Sequence, residues 1–409
     1  MDAETAHADR PYLTAELPGV AGRYKQRPDD FRVEEVPLYM PGGTGTHLYF
    51  RVTKTGVSTP EAVARIARHL GVRPGEIGFA GLKDARAVTR QMMSLEHADA
   101  ARLGAFADPR IGVEPVGHHG NKLRTGHLAG NRFTIRLRGV GAEDLPAARA
   151  VLDILQRRGV PNYFGRQRFG ARGDTAALGE ALVRGDLEQF VALLLGQPCA
   201  ADGDDVRAAR DAFDTGHYAR ALDLWPRAFR EHRKALAAYK KRSSPKAALA
   251  AVDKRTRRLY VSAFQSAIFN DVLARRIDTF DRVRIGDLAK KAGSGGVFRV
   301  EDADAEQPRA ARFEISPTGP VPGYRSRLAD GQPGRIERDV LQEHEIAPED
   351  FRGLGALKPK GTRRPLRFGL GDPELSAGTD ADGDYLELRF TAPPGSYATV
   401  VLREIVKGE

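Results

Sequence analysis

Gly78-Phe79-Ala80-Gly81-Leu82-Lys83-Asp84-Ala85-Arg86-Ala87-Val88-Thr89-Arg90-Gln91 is the stretch on which the reading of this 409-residue chain turns. From Ile77 to Asp84 it reads as a short buried strand bounded by glycines and running into a turn. A carboxylate at a strand end beside a lysine is held ionised by the neighbouring charge. Such a group can attack or stabilise an electron-poor sugar carbon. The plainer alternative is an exposed Lys-Asp turn. A phosphate-binding loop is excluded, because Gly81 is followed by Leu82 rather than by Lys-Ser or Lys-Thr.

Working outward, residues 31 to 53 read as strands. Phe31, Val33 and Val36 form a short apolar pattern, and Leu48, Phe50 and Val52 share one face. A helix follows, with Thr59 as its cap, Pro60 in its first turn, Val63, Ile66, Ala67 and Leu70 as its stripe, and Gly71 at its end. Phe133, Ile135 and Leu137 alternate, and so do Leu386, Leu388 and Phe390 near the other end. Alternating strands at both ends predict a mainly antiparallel sheet assembled from distant segments. From about 175 to 275 the pattern is helical and alanine-rich, and 293 to 335 reads as loop. The expectation is an α+β chain: a sheet domain of 1–159 and 356–409, interrupted by a helix-rich insertion at 160–355.

Six stretches, in order, resemble the TruD pseudouridine synthases. They are Lys25-Gln26-Arg27-Pro28-Asp29-Asp30-Phe31-Arg32-Val33-Glu34-Glu35; the Lys83-Asp84 segment; Gly130-Asn131-Arg132-Phe133; Val160-Pro161-Asn162-Tyr163-Phe164-Gly165-Arg166-Gln167-Arg168-Phe169-Gly170; Ser262 to Asn270; and Arg389-Phe390 with Pro394 to Thr399 and Arg403-Glu404. The resemblance implies a pseudouridine synthase fold split by a family-specific insertion. It also implies a uridine of tRNA as substrate, position 13 of the D-arm in bacterial members, and Asp84 as the catalytic aspartate. Phe31 and Phe390 would then help form the base pocket, Asn131 would supply a polar contact, and Phe133 would support it. Lys25 and Lys83 would meet phosphate or orient Asp84, with a surface salt bridge as the alternative.

Moving a uracil from nitrogen to carbon on the same ribose uses one base as leaving group and nucleophile, so the reaction itself demands no cofactor or metal. Asp84 would either attack the anomeric carbon or take the ribose 2′ proton. The target base must first be turned out of its stack. One cysteine, Cys199, and ten histidines without a His-x-x-x-His pair offer no zinc cage.

The net charge is +10, and the segment from Arg227 to Arg258 carries twelve basic residues against only Glu231 and Asp253. Such a block attracts a polyanion through counterion release, and Tyr239, Tyr260 and Phe264 add rings able to stack on bases. Within it Arg255, Arg257 and Arg258 are RNA-contact candidates. So are Lys122, Arg124 and His127, just before Asn131, and Arg166 and Arg168; the rings of the 162–170 block fit a buried hinge better. No run is long and apolar enough for a membrane helix, and Met1 to Arg10 lacks the apolar core of a signal peptide. A cytoplasmic enzyme acting on tRNA, with no membrane, metal or obligate protein partner, is the expectation. The alternative is a non-catalytic RNA-binding or RNA-chaperone protein on the same fold.

Overall fold

The computed structural model describes residues 10–407, so the stretch read for a signal peptide lies outside the described residues up to Asp9. The chain forms two compact units. A sheet unit takes Thr14–Val160 and the described part of Phe368–Glu409; a helical unit takes Pro161–Arg367 and the described part of Met1–Leu13. The second crossing therefore falls at Arg367/Phe368 rather than at 355/356. The reason is local: the strand Thr362–Pro365 pairs antiparallel with Ile315–Val321. Arg363 also forks onto the Glu337 carboxylate at 2.6 and 2.9 Å, deep in the helical unit. At the other end, Arg10 joins that unit through an ion pair with Asp271 at 2.9 Å.

In the sheet unit, β1 (Phe31–Pro37), β2 (His47–Thr55), β3 (Gly78–Phe79), β4 (Val88–Glu96), β5 (Ile111–His119), β6 (Leu128–Arg138), β7 (Gly371–Asp380) and β8 (Gly383–Ala392) form one eight-stranded sheet. The order is β7-β8-β6-β1-β4-β2-β5, with β3 also on β4. Only β1 and β4 run parallel; the other pairs are antiparallel. With the helices, this is the α+β fold expected. The strand expected over Ile77–Asp84 is confined to Gly78–Phe79, and the rest is loop.

Laterally paired residues point to the same face of a sheet. The registers therefore define two neighbouring rows on one face. One runs Phe390, Phe133, Val33, Thr89, Lys54, Ile111; the next begins Ala392, Asn131, Glu35 and resumes on β4 and β2 as Gln91, Val52. The inward residues of β1 are thus Phe31, Val33 and Glu35, and Val36 is not on that face. Helix α1 (Thr59–Leu70) buries Val63, Ile66, Ala67 and Leu70 against Leu48, Phe50, Val52 and Met93. Burying each of these side chains except that of Ala67 contributes roughly 1.5–3 kcal/mol. Gly71 ends the helix at φ +72°, but its cap is Ser58, which accepts from Glu61 N at 3.3 Å. Thr59 is displaced from capping because its hydroxyl is bonded elsewhere, as described below. Helix α2 (Leu145–Arg158) packs on β7, and α3 (Ala398–Val406) packs on α2.

The helical unit is helix-rich from Thr175 to Arg275, as the pattern predicts. Its longest helix, Lys254–Arg275, buries Tyr260, Phe264, Ile268 and Val272 in the unit's core. The stretch 293 to 335 is not loop: it contains the helix Ala303–Ala311, the strand Ile315–Val321 and the start of the helix Gly331–Glu343. The acidic residues from Glu301 to Glu306 in this stretch open a helix, with Asp302 accepting from Ala305 N at 3.0 Å and Asp304 and Glu306 in the first turn.

Candidate active site

Asp84 lies in the loop joining β3 to β4, and this loop is pinned from several directions. β1 pairs with β4 as far as Arg90 and β3 resumes at Met93, so both share the edge of β4 away from β2. In the interval, side chains replace strand pairing. Glu35 accepts from Met92 N at 3.2 Å, and the Gln91 amide donates to Gly81 O at 3.1 Å. Thr59 Oγ1 accepts from Lys83 N at 3.0 Å and is 3.0 Å from Gln91 Oε1. Gly126 N donates to Ala80 O at 2.8 Å.

Three lysines surround this loop and do different things. Lys83 turns inward: its ammonium sits 2.9 Å from Glu35 Oε2 and 2.7 Å from Asn131 Oδ1, with side chains of Lys83 and Glu35 only 4% and 1% exposed. The neighbour in sequence is therefore not the charge beside the Asp84 carboxylate, nor is it open to phosphate. A buried ion pair needs its partner, and Glu35 supplies it. Lys25 approaches instead, 3.4 Å from Asp84 Oδ2 and 4.2 Å above the Phe31 ring. Lys25 itself holds φ +58°, a left-handed conformation that costs a non-glycine residue about 1 kcal/mol and recurs at functional sites. Lys54, unremarked in the sequence, is fully buried and donates to Asp84 O at 2.8 Å and Val57 O at 2.7 Å. Burial pushes its ammonium down to about 8; the Asp84 charge opposes that shift and the Lys83 charge adds to it. Its signal was a lysine continuing the inward Leu48, Phe50, Val52 alternation.

The carboxylate of Asp84 remains 32% exposed. The rings expected to line a base pocket are buried: Phe31 and Phe390 at 1%, Phe133 at 6%. Phe133 stacks on Phe390 at 5.1 Å and meets Phe31 edge-on at 6.2 Å. Asn131 stands in the next row, its Oδ1 held by Lys83. Thus Asp84, Lys25, Lys83, Phe31, Asn131, Phe133 and Phe390 come together, with Glu35, Lys54, Thr59 and Gln91 as supports that periodicity did not single out.

The basic candidates are dispersed. Arg124 is exposed, Lys122 is half-buried and donates to Gly75 O at 2.8 Å, and His127 lies 2.9 Å from the Tyr39 hydroxyl. In the helical unit Arg166, Arg255 and Arg258 are exposed and Arg257 is half-buried. Arg168 is tied to Ser262 and Ser266 of the long helix. The rings offered for base stacking are not available: Tyr260 and Phe264 are core residues, and Tyr239 packs against Phe213 and Tyr218. The exposed ring of that segment is Phe229. Among the described residues no cluster of histidine, cysteine or carboxylate side chains is placed to hold a metal ion, and no helix is long and apolar enough to cross a membrane.

The family model described as tRNA pseudouridine synthase D (TruD) matches residues 7–405. Proteins named tRNA pseudouridine synthase D from Geobacter metallireducens and Anaeromyxobacter dehalogenans are similar to this chain. The first is 46% identical over 98% of both chains; the second is 40% identical over 98% of this chain and 97% of its own. A crystal structure described as a putative tRNA pseudouridine synthase D from Methanosarcina mazei superposes with a TM-score of 0.84 at 29% identity, over 98% of this chain and 96% of that one. The chain belongs to the tRNA pseudouridine synthase D (TruD) family, whose members are isomerases.

Proposed function

We propose that the protein isomerises a uridine of tRNA, position 13 in the D-arm, to pseudouridine, with Asp84 as the catalytic carboxylate. The supporting observation is the placement of that one acid. It is accessible, faced by Lys25 at 3.4 Å, and carried on a loop whose backbone is held by Lys54, Thr59 and Gln91. The Glu35 carboxylate is committed to Lys83 and to Met92 N, which supports Asp84 as the reactive acid.

In the reaction the N1–C1′ bond breaks, the detached uracil turns, and C5 bonds to C1′. The C5 hydrogen leaves as a proton and N1 takes one up, so bonds and protons balance within the nucleotide. Asp84 either bonds transiently to C1′ or takes the 2′ proton and returns it; both routes regenerate the carboxylate. Lys25 places a positive charge 3.4 Å from that carboxylate. Because Lys83 fixes Asn131 Oδ1, the Asn131 amide presents its N–H groups to a uracil carbonyl. Lys25 covers the Phe31 face, so a uracil stacking there displaces its ammonium; Phe133 braces Phe31 edge-on and is itself stacked on Phe390.

The test is incubation with unmodified tRNA transcripts, mapping pseudouridine by carbodiimide-dependent reverse-transcription stops. A D-arm stop is expected with the wild type and none with Asp84→Asn, which still binds tRNA. Turnover by Asp84→Asn overturns the catalytic assignment. A stop outside the D-arm overturns the position. Tight, salt-sensitive binding without any stop would support an RNA-binding protein instead.

A further inference from the structure

We propose that Lys54 is a positioning residue for the reaction: its buried ammonium fixes the backbone of Asp84 and supplies a second positive charge behind the carboxylate that Lys25 faces from the front. This rests on the reading of Asp84 as the catalytic acid. Three observations carry it. Lys54 is fully buried, and no carboxylate accepts a hydrogen bond from it among the described residues; its acceptors are the carbonyls of Val57 and Asp84 at 2.7 and 2.8 Å. A buried ammonium held by neutral acceptors is costly unless a nearby anion compensates. Asp84 is the anion whose charge acts on it. Finally, the two carbonyls belong to the two segments that frame the site, the approach to α1 and the catalytic loop. One cation therefore sets the distance between them.

The groups facing Lys54 are few. From the loop come Asp84, which favours the charged amine, and Lys83, which disfavours it. Across β4 its lateral partner is Thr89 and across β5 it is Ile111, neither of which titrates. The start of α1 offers Ser58 and Thr59, while Glu61 is exposed and paired with Arg65. The other carboxylate of the site, Glu35, is paired with Lys83. Since burial brings the amine to about 8, wild-type protein loses this charge within an accessible pH range.

The experiment is single-turnover and steady-state pseudouridylation of a tRNA transcript from pH 7 to 9, by wild type, Lys54→Met, Lys54→Gln and Asp84→Asn. Circular dichroism confirms that each variant is folded. Wild-type kcat should fall about tenfold between pH 7 and 9 as the amine deprotonates. Lys54→Met should lie about tenfold below wild type at pH 7 with little change in KM, show no such fall, and meet the wild-type curve at pH 9. Lys54→Gln, which keeps donors for the carbonyls but no charge, should behave as Lys54→Met does. If the lost donor alone mattered, Lys54→Gln would recover wild-type activity and the charge proposal would be wrong. If the role were only structural, wild-type and variant curves would run parallel. Should both variants misfold, the wild-type profile decides: kcat level from pH 7 to 9 overturns the proposal. Activity in Asp84→Asn removes the reading beneath it, whereas an inactive Asp84→Asn beside unaffected Lys54 variants removes the Lys54 role alone.

Discussion

The lysines around the Asp84 loop and the basic block of the helical unit handle positive charge in opposite ways. In the sheet unit, Lys83 and Lys54 are buried and every contact described for them is specific: a carboxylate and an amide for one, two carbonyls for the other. In the helical unit, the run from Arg227 to Arg258 leaves Arg227, Arg230, Lys240, Lys241, Arg242, Lys246, Lys254, Arg255 and Arg258 exposed. There, among the described residues, only Lys234 finds a carboxylate at bonding distance, Glu231 at 2.8 Å. Buried charges act over a few ångströms in a poorly screened medium and hold geometry. Exposed charges act on a polyanion over a Debye length and hold nothing in particular. The comparison predicts that changes in the sheet unit cost chemistry or folding, and that changes in the basic block cost affinity.

The largest effect should follow from Asp84→Asn, a rate loss of more than about 10³-fold with tRNA affinity nearly unchanged, measured by single-turnover assay and filter binding. An affinity loss of similar size would break the comparison at its strongest point. Next comes Lys83→Ala, which strands the Glu35 carboxylate in the interior and should cost about 3–5 kcal/mol in denaturant unfolding. Pairing Lys83→Met with Glu35→Leu should restore most of that stability but not activity, because Asn131 loses its anchor. Charge reversal of Arg255, Arg257 and Arg258 comes third. It should weaken tRNA binding by about 10- to 100-fold and flatten the log–log salt slope by roughly 2–3 units, leaving kcat at saturating tRNA as it was. An unchanged slope would place the RNA elsewhere.

The smallest effect tests a half-buried charge in the helical unit, outside the basic block. His344 lies 3.1 Å from both Glu180 and Asp271, linking two helices. Burial pushes its pKa down, but the two carboxylates outweigh that and raise it to about 9. The charged form is therefore favoured by folding. Its contribution is complete below the ordinary 6.5 and is lost as pH rises through about 9. His344→Asn should cost on the order of 1–2 kcal/mol at pH 6 and little at pH 10, read from urea unfolding at the two values.

What periodicity could show, it showed: the alternations Leu48-Phe50-Val52 and Leu386-Leu388-Phe390, the stripe of α1 and its glycine stop are all in place. What it could not show is where a charged side chain points when its partner is distant in sequence. Val36 was a natural third member of the β1 pattern, but Glu35 takes the inward place because Lys83 and Met92 N wait for it there. For the same reason Lys83 was read as the charge beside Asp84. Alternation along a strand says nothing about a loop residue's direction, and only the β1–β4–β3 arrangement sets it. Tyr260 and Phe264 looked like rings among cations; on a helix buried on nearly every side from Tyr260 to Leu273 they became core. Lys54 was legible in principle, as an inward lysine on an apolar face, and is the clearest case of a broken pattern marking a site.

The β6–β8 pairing also has a consequence for how the molecule is made. β6 ends at Arg138, but the strand that completes its edge begins at Gly383, and Phe390 reaches Phe133 only through that pairing. A ribosome adding residues in order finishes the entire helical unit before it delivers β8. Until then the edge of β6 presents unpaired N–H and C=O groups, an open template for sticking to another nascent chain. Meanwhile the ring cluster under the active loop lacks one of its members. The sheet unit, opened before most of the helical unit is made, is therefore closed last.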